Sequence, residues 1–426
     1  MIGHEIVGIL ISLTAVASYI NYKYIKLPKS IGITFITLFL SLIIVIFSKL
    51  GLNLEYSRKL LDGIRFNETF LHGMLSFLLF AGSLHVNVIE LSRYKVLVGL
   101  LATLSVLCSS FFIGYSIYGL TQFLCINLPF YYCLVFGALI SPTDPIAVLG
   151  VLKIVKAPKS LELKIVGEAL FNDGMGIVLF FVALALASGV QKSLSFETIF
   201  FYFVQQGIGG LFLGLIIGFF ISRLLKTIND SEVAIIITLA VVSGGYTLAH
   251  SIVDVSGPIC MVTAGLVIGN SIKHSDMSEE TLLRLGSFWE LLDEVLNAIL
   301  FVLIGLEFIC IQFDMSTTLA ALGAIIITIA ARFVSISIPV IWLSGFKGLN
   351  FDVLVVLTWG GLRGGISIAL ALSIGEGKYH NLIVAITYAV VIFSMMVQGL
   401  TIGPLVKRFI RRKYLSRSSF SRIRYK

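Results

Sequence analysis

The residues best placed to do chemistry are Glu168, Asn172 and Asp173, in the stretch Gly167-Glu168-Ala169-Leu170-Phe171-Asn172-Asp173-Gly174. This stretch lies inside an apolar run from about 161 to 189. An ionisable side chain deep in such a run is costly and marks a functional site by default. A carboxylate there can hold a proton or a monovalent cation and release either. The competing reading is a carboxylate near a helix end that reaches back to water. Apolar residues continue well past Asp173 on both sides and argue against it. Successive helical residues turn by about 100°, so Asn172 stacks over Glu168 and Asp173 over Ala169. Glu168 and Asp173 then point about 140° apart and call for different partners.

Two further stretches carry charge at the same depth. Ser141-Pro142-Thr143-Asp144-Pro145 places two prolines within four residues of an apolar segment. Each proline lacks an N–H and disfavours helix at the residue before it, so the backbone should unwind around Asp144. Trp359-Gly360-Gly361-Leu362-Arg363-Gly364-Gly365 sets one arginine among four glycines. A plain proline kink and close glycine packing are the bland alternatives, and the charge inside each stretch argues for unwinding. Arg332 adds a second cation within 316–344 and needs a partner, for which Glu168 is the candidate. Fully ionised, Asp144, Glu168, Asp173, Arg332 and Arg363 carry a net charge of −1. One proton or one monovalent cation neutralises that set. With Glu168 and Arg332 paired, Asp144 and Arg363 are left to offset the half-helix ends, and Asp173 is the carboxylate free to exchange its counter-ion.

The elements that must position these residues are membrane spans. The chain has 426 residues, 58% of them hydrophobic and 13% charged, with mean hydropathy +1.01. Soluble domains average about 25% charged residues. Apolar segments recur near 5–22, 31–48, 70–89, 96–121, 129–151, 161–189, 197–222, 232–249, 254–271, 286–308, 316–344, 350–374 and 381–406. The expected architecture is therefore an all-α polytopic membrane protein of about thirteen spans. No cleavable leader stands out, so the first segment reads as a retained helix. With the N-terminus outside, most Lys and Arg residues fall on the cytoplasmic side, nine of them in the C-terminal tail. That distribution supports an N-outside, C-cytoplasmic orientation in the cell membrane. It also accounts for the net charge of +8 without nucleic acid. The tail, 407–426, mixes Phe409, Ile410, Tyr414, Leu415 and Phe420 with its basic residues. It reads as a positive-inside anchor or as a segment lying on anionic membrane lipid.

The two interruptions are seven spans apart, an odd offset that reverses the crossing direction. Interrupted segments at matching positions of two halves point to an inverted-topology repeat with a midplane site. The whole chain then forms one transporter domain, with halves near 1–189 and 232–406 and a linker helix near 197–222. The odd, scattered cysteines Cys108, Cys125, Cys133, Cys260 and Cys310 suit packing better than disulfides or a metal site. No cofactor motif is present.

In these residues the chain resembles the monovalent cation/proton antiporters of the NhaP/NHE type. The ordered landmarks are Ser141 to Pro145, Gly167-Glu168 with Phe171-Asn172-Asp173, Phe288-Trp289 through Leu296-Asn297 to Ile304-Gly305-Leu306-Glu307, Arg332, and Gly360 to Gly364. The resemblance implies a homodimer, a core with two crossed unwound helices, and elevator-like alternating access. It assigns ion and proton binding to Asp173 and Asn172, with Thr143 and Asp144 in the first unwound segment. It makes Asp173 and Thr143 the ligands of Na⁺, and Glu168 with Arg332 a buried ion pair. An Asn-Asp pair in this family goes with electroneutral exchange. Ala169 and Ala81 depart from the pattern, since neither supplies the oxygen that many members carry there. Ser83 or Ser141, or water, are the available substitutes.

The leading expectation is exchange of Na⁺ or Li⁺ for H⁺, with K⁺/H⁺ exchange at the same site as the nearest variant. An intramembrane aspartyl protease is a distant alternative, because Asp144 and Asp173 lie in neighbouring spans. That chemistry needs two carboxylates sharing a proton, and the Gly-x-Gly-Asp pattern is missing. A channel would show repeated filter residues, and none are evident. Outside the core, His72, His85, His250 and His274 read as structural or solvated. Glu290, Asp293 and Glu294 read as acids at the start of the tenth span.

Overall fold

The structure, a computed structural model, describes residues 3–50, 73–188, 196–273, 277–311, 314–344, 351–375 and 377–408. The tail from 409 onward, His72, His274 and several loop cations of the topology count (Arg58, Lys59, Arg65, Lys192 and Lys347) lie outside the described residues.

Among the described residues the chain is helical throughout, with no strand. In order, leaving aside the short helical turn Val88–Ser92, the helices are α1 Gly3–Ile20, α2 Lys29–Lys49, α3 Leu75–Leu84 and α4 Lys95–Phe123. Then come α5a Phe130–Ile140, α5b Ile146–Ile154, α6 Lys159–Ala187, α7 Phe200–Leu225 and α8 Ser231–Ile252. The rest are α9 Gly257–Ile272, α10 Glu279–Glu307, α11 Met315–Ser344, α12a Phe351–Trp359, α12b Gly365–Leu372 and α13 His380–Arg408. Seven helices among the described residues are long and apolar enough to cross a membrane, α6, α11 and α13 among them. Leu75–Leu84, Phe130–Ile140 and Gly257–Ile272 are apolar but shorter.

Helical pairing stops at Ile140 and resumes at Ile146, across the two prolines, and stops again at Trp359 and resumes at Gly365. Pro142 and Pro145 remove two donors, which leaves α5 no regular way to continue. At the second break Gly364 takes an extended conformation, φ −128° and ψ −159°. Single π-turns widen α7 at Gln205–Gly209 and α13 at Ser394–Gln398. Such turns often mark functional positions.

The apolar packing divides at the level of the breaks. One cluster takes Phe136 to Ile140 of α5a, Ile368 to Ala371 of α12b, Ala320 to Ala331 of α11 and Ile383 to Met395 of α13. Another takes Val148 to Leu152 of α5b, Leu354 to Leu357 of α12a, Ile336 of α11 and Ile402 to Val406 of α13. α6 runs through both, with Ile165 in the second and Leu170 in the first. A polar layer therefore lies between two apolar blocks. A third block gathers α3, α8 and α9 around Trp289 of α10. Trp289 is fully buried, stands 4.7 Å from the ring of Phe80 and donates its indole N–H to Thr238 Oγ1 at 3.0 Å. It packs, as the sequence suggests for the aromatics.

Close helix approach rests on small residues. A Cβ on Gly269 of α9 would fall onto the Leu84 carbonyl of α3, and one on Gly176 of α6 would fall onto the Pro142 ring. Gly244 of α8, by contrast, has nothing within 4 Å of its Cβ position. Gly269→Val is therefore expected to lower the thermal midpoint of the detergent-solubilised protein, because backbone cannot rotate away and overpacking costs about 1–3 kcal/mol. Gly244→Ala should leave the midpoint unchanged or raise it, since alanine favours helix by about 0.5–1 kcal/mol. Thermal unfolding of the two variants beside the parent protein checks both.

Candidate functional site

α6 carries the three residues on which the site turns. It is buried along most of its length, and Glu168, Asn172 and Asp173 are 1%, 0% and 6% exposed. Their divergent directions on the helix lead to different neighbours. Asn172 donates from Nδ2 to Thr143 Oγ1 at 2.8 Å, which fastens α6 to the first break. Glu168 pairs with Arg332 of α11, through Oε1 and Nη1. Their side chains are 2% and 5% exposed, and the contact is an ion pair rather than an aligned hydrogen bond. Arg332 also lies over Gly361, where any Cβ would strike its guanidinium, so the second break needs glycine to admit it. Asp173 has no such partner for Oδ1, which is buried and without a hydrogen bond in the protein. The charge that acts on it is that of Asp144.

The two breaks meet. The backbone N–H of Asp144 donates to the carbonyl of Leu362 at 2.7 Å, so each unwound segment satisfies part of the other. Arg363, 2% exposed, reaches from the second break to the end of α5a. Its Nη1 donates to the carbonyl of Ser141 and to that of Pro142, the latter at 2.8 Å. Asp144 does the converse, with its carboxylate standing where a Cβ on Gly364 would fall, at the start of α12b. The Arg363 N–H is held by Ser394 Oγ at 2.9 Å, and Ser394 in turn donates to Gln398 Oε1 at 2.7 Å. Both residues lie in the π-turn of α13. A cavity opens beside these groups, with Thr328, Arg332, Thr358, Gly361, Arg363 and Gln398 among its lining.

The structure thus brings together Thr143, Asp144, Glu168, Asn172, Asp173, Arg332 and Arg363. The candidate substitutes for the missing oxygens are held within their own helices. Ser83 donates to Phe80 O at 2.9 Å and packs against Gly265 of α9. Ser141 donates to Gly137 O at 2.6 Å and accepts from Ser110 at 3.0 Å. Each hydroxyl donates its proton to its own helix and keeps oxygen lone pairs for a further partner, and Ala169 and Ala81 are buried apolar positions. Among the described residues no group of three or more His, Cys, Asp or Glu side chains is arranged to hold a metal.

One reading is corrected. Glu290, Asp293 and Glu294 do not start a helix. α10 begins at Glu279, capped by Ser278 Oγ accepting from the Thr281 N–H, so Asp293 is near its middle. The apolar window begins later than the helix because the first turns of α10 are amphipathic. Ser394 and Gln398 carried no mark in the sequence, and Asn297 stood there only as one landmark of the resemblance, without a role. Nothing in their types marks them, since buried amides and hydroxyls occur in many membrane helices.

The chain is similar to known proteins over its whole length. A family described as "Sodium/hydrogen exchanger, transmembrane" matches residues 9–408. The Na⁺/H⁺ antiporter NhaP of Pseudomonas aeruginosa is 43% identical over 422 residues, which covers 97% of this chain and 99% of that protein. The Na⁺/H⁺ antiporter NhaH of Halobacillus dabanensis is 30% identical and covers 95% of this chain and 96% of its own. The solved structure of the sodium proton antiporter MjNhaP1 from Methanocaldococcus jannaschii superposes with a TM-score of 0.74 at 22% identity, over 95% of this chain and 99% of that one. That last likeness is one of fold.

The ion pair yields a stability prediction. Glu168→Ala or Arg332→Ala strands a buried charge and should cost about 3–5 kcal/mol of stability. The double variant Glu168→Met/Arg332→Met should be more stable than either single variant, because apolar replacement of both partners is often tolerated. Thermal unfolding of the three purified proteins checks the order. Equal stability of parent and single variants would remove the pairing.

Proposed function

The chain belongs to the sodium/hydrogen exchanger family, and from that premise we propose that it exchanges Na⁺ or Li⁺ for H⁺ across the cell membrane, with Asp173 as the group that carries either ion. It is a multi-pass membrane protein and a transporter rather than an enzyme. The observation that supports Asp173 is its burial with an unpartnered carboxylate oxygen, beside the crossing of the two breaks. Glu168 is tied to Arg332, which leaves Asp173 the carboxylate able to change its counter-ion. In this reading Asn172 and Thr143 orient the site, and Thr143 and Asp173 supply oxygens to a dehydrated Na⁺. Hard oxygen donors suit such a cation. Arg363 offsets the carbonyl end of α5a and Asp144 the amide end of α12b, the signs that helix ends favour.

The charge balance gives the stoichiometry. Asp144, Glu168 and Asp173 against Arg332 and Arg363 leave one negative charge, which one H⁺ or one Na⁺ cancels. The loaded site then has the same charge with either ion and crosses without net charge movement. We read the cycle as electroneutral one-for-one exchange by alternating access, in which the core carrying the site moves against the rest in an elevator-like step. A homodimer, with N-termini outside and C-termini in the cytoplasm, completes the proposal. K⁺ at the same site is the nearest variant, since Ala169 and Ala81 supply none of the oxygens that would set the choice of cation.

Asp173→Asn should abolish exchange while the protein still folds and inserts. Near-normal turnover in that variant would exclude Asp173 from transport. Competition of the two ions for one carboxylate also sets the pH dependence. Apparent cation affinity should weaken as pH falls, because protons occupy the site. Maximal turnover should fall at high pH, when the proton for the return step is scarce. Proteoliposomes assayed with Na⁺, Li⁺ and K⁺ side by side test both arms. Under a potential clamped by valinomycin and K⁺, once K⁺ is excluded as a substrate, electroneutral exchange requires that an imposed voltage drive no net Na⁺ accumulation.

A further inference from the structure

Asn297 of α10 is 4% exposed, and neither atom of its carboxamide has a hydrogen-bond partner within the protein. Leaving a buried polar group unpaired is costly. Such a group in a native protein calls for an explanation, an unseen ion or water among them.

Its surroundings on α10 point one way. Asp293 lies one turn before Asn297, and Leu300 follows on the same face at the next turn. Leu300 occupies the space where a Cβ on Gly365 would fall, at the start of α12b and next to the Gly364–Asp144 contact. This face of α10 therefore looks at the crossing of the two breaks. The Asp293 carboxylate is the polar neighbour of the Asn297 side chain, interacting with it as a long hydrogen-bond partner outside normal bond geometry, and it lies within electrostatic reach of Asp144, Glu294 and Glu290. Asp293 is half-buried, while Glu290 and Glu294 are exposed, Glu294 pairing with Lys29 at 2.6 Å. Asp293 and Asn297 thus stand on the face of α10 that carries Leu300 to the start of α12b, between the exposed Glu290 and Glu294 and the Asp144 carboxylate, whose charge acts on both Asp293 and Asp173.

We propose that Asp293 and Asn297 form a staging site for the transported monovalent cation, between the solvent-facing half of α10 and the Asp144–Asp173 carboxylates. The inference rests on the exchange reading above. The ligands are one carboxylate oxygen and one amide carbonyl oxygen, both hard donors that replace part of a hydration shell. A single formal charge attracts the ion, and a neutral partner keeps it from being held too firmly to leave, as conduction through successive sites requires. A cation there also relieves the repulsion between Asp293 and Asp144. The unpaired amide is then explained by an ion that occupies it only in passing.

The test uses the full-length protein in proteoliposomes, with initial rates of Na⁺-driven H⁺ movement measured over a range of Na⁺. Asp293→Asn and Asn297→Leu should each raise the KM for Na⁺ about fivefold or more, the scale of one lost ligand, with a smaller change in Vmax. Asn297→Asp, which keeps an oxygen, should hold KM at or below the parent value. The double variant Asp293→Asn/Asn297→Leu should be no worse than its worse single parent, because both lose the same site. An unchanged KM in both single variants overturns the proposal. So does a fall in Vmax with KM unmoved, which is what a packing role alone produces. If Asn297→Leu does not fold, Asp293→Asn and Asn297→Ser decide the matter by the same two quantities. A parent protein without Na⁺-dependent H⁺ movement overturns the exchange reading itself. A working parent, inactive as Asp173→Asn, with KM untouched by the α10 variants overturns the staging site alone.

Discussion

Two helices end and restart in the middle of an apolar protein, and everything around the site answers to the polar backbone this exposes. In a bilayer no water satisfies the freed carbonyls and N–H groups, so irregular backbone survives only where protein or a cavity receives it. Here the two breaks receive each other. Asp144 donates its N–H to Leu362, and Arg363 spreads one guanidinium over the carbonyls of Ser141 and Pro142. The π-turn of α13 is part of the same arrangement, since it supplies Ser394 to the Arg363 N–H. Removing any one of these groups leaves another unpaired in a medium where that is most costly.

The division of the apolar packing follows from the same constraint. A polar layer cannot be merged into a continuous hydrophobic core, so side chains pack in one block on the α5a–α12b side and in another on the α5b–α12a side. Glu168, Arg332, Arg363, Ser394 and Gln398 fall at the seam. α6 and α11 cross it unbroken, joined by the Glu168–Arg332 pair. A buried pair of this kind is weak support for stability, because desolvation cancels much of the attraction. Its geometric effect is clearer. It fixes the rotation of α6, and with Asn172 on Thr143 it leaves Asp173 as the acid of α6 whose charge is not spoken for.

Several buried polar groups left without a hydrogen bond belong to the site. Asp173 Oδ1, Arg332 Nε, Arg363 Nη2 and the Asn297 amide are buried without hydrogen-bond partners, and all lie near the crossing or on a helix face turned toward it. Well-packed structural polar groups are almost always satisfied. Groups that bind and release an ion must be incompletely satisfied by the protein, or the ion would gain nothing by entering. The open carboxylate oxygen of Asp173 is therefore what the proposed exchange chemistry requires.

Much of this was legible in the amino-acid sequence. Long apolar runs with few charges dictate membrane helices, because only helices or closed barrels satisfy backbone groups in lipid. Prolines flanking Asp144, and glycines around Arg363, dictate where helix cannot continue. Charges at depth single out Glu168, Asp173, Arg332 and Arg363, since nothing but partners or function keeps them there. What the sequence could not decide is which distant groups meet. The pairing of Asp144 with Leu362 spans more than two hundred positions, and the donation from Arg363 to Ser141 spans 222. Both depend on how whole helices pack. The same holds for Asn297 and Asp293. Local composition read Asp293 as a helix start and gave Asn297 no role, because the amphipathic turns that open α10 come before its apolar stripe begins. Only the tertiary structure, by setting that face of α10 against the crossing, turns a buried amide and a mid-helix carboxylate into neighbours of the candidate site.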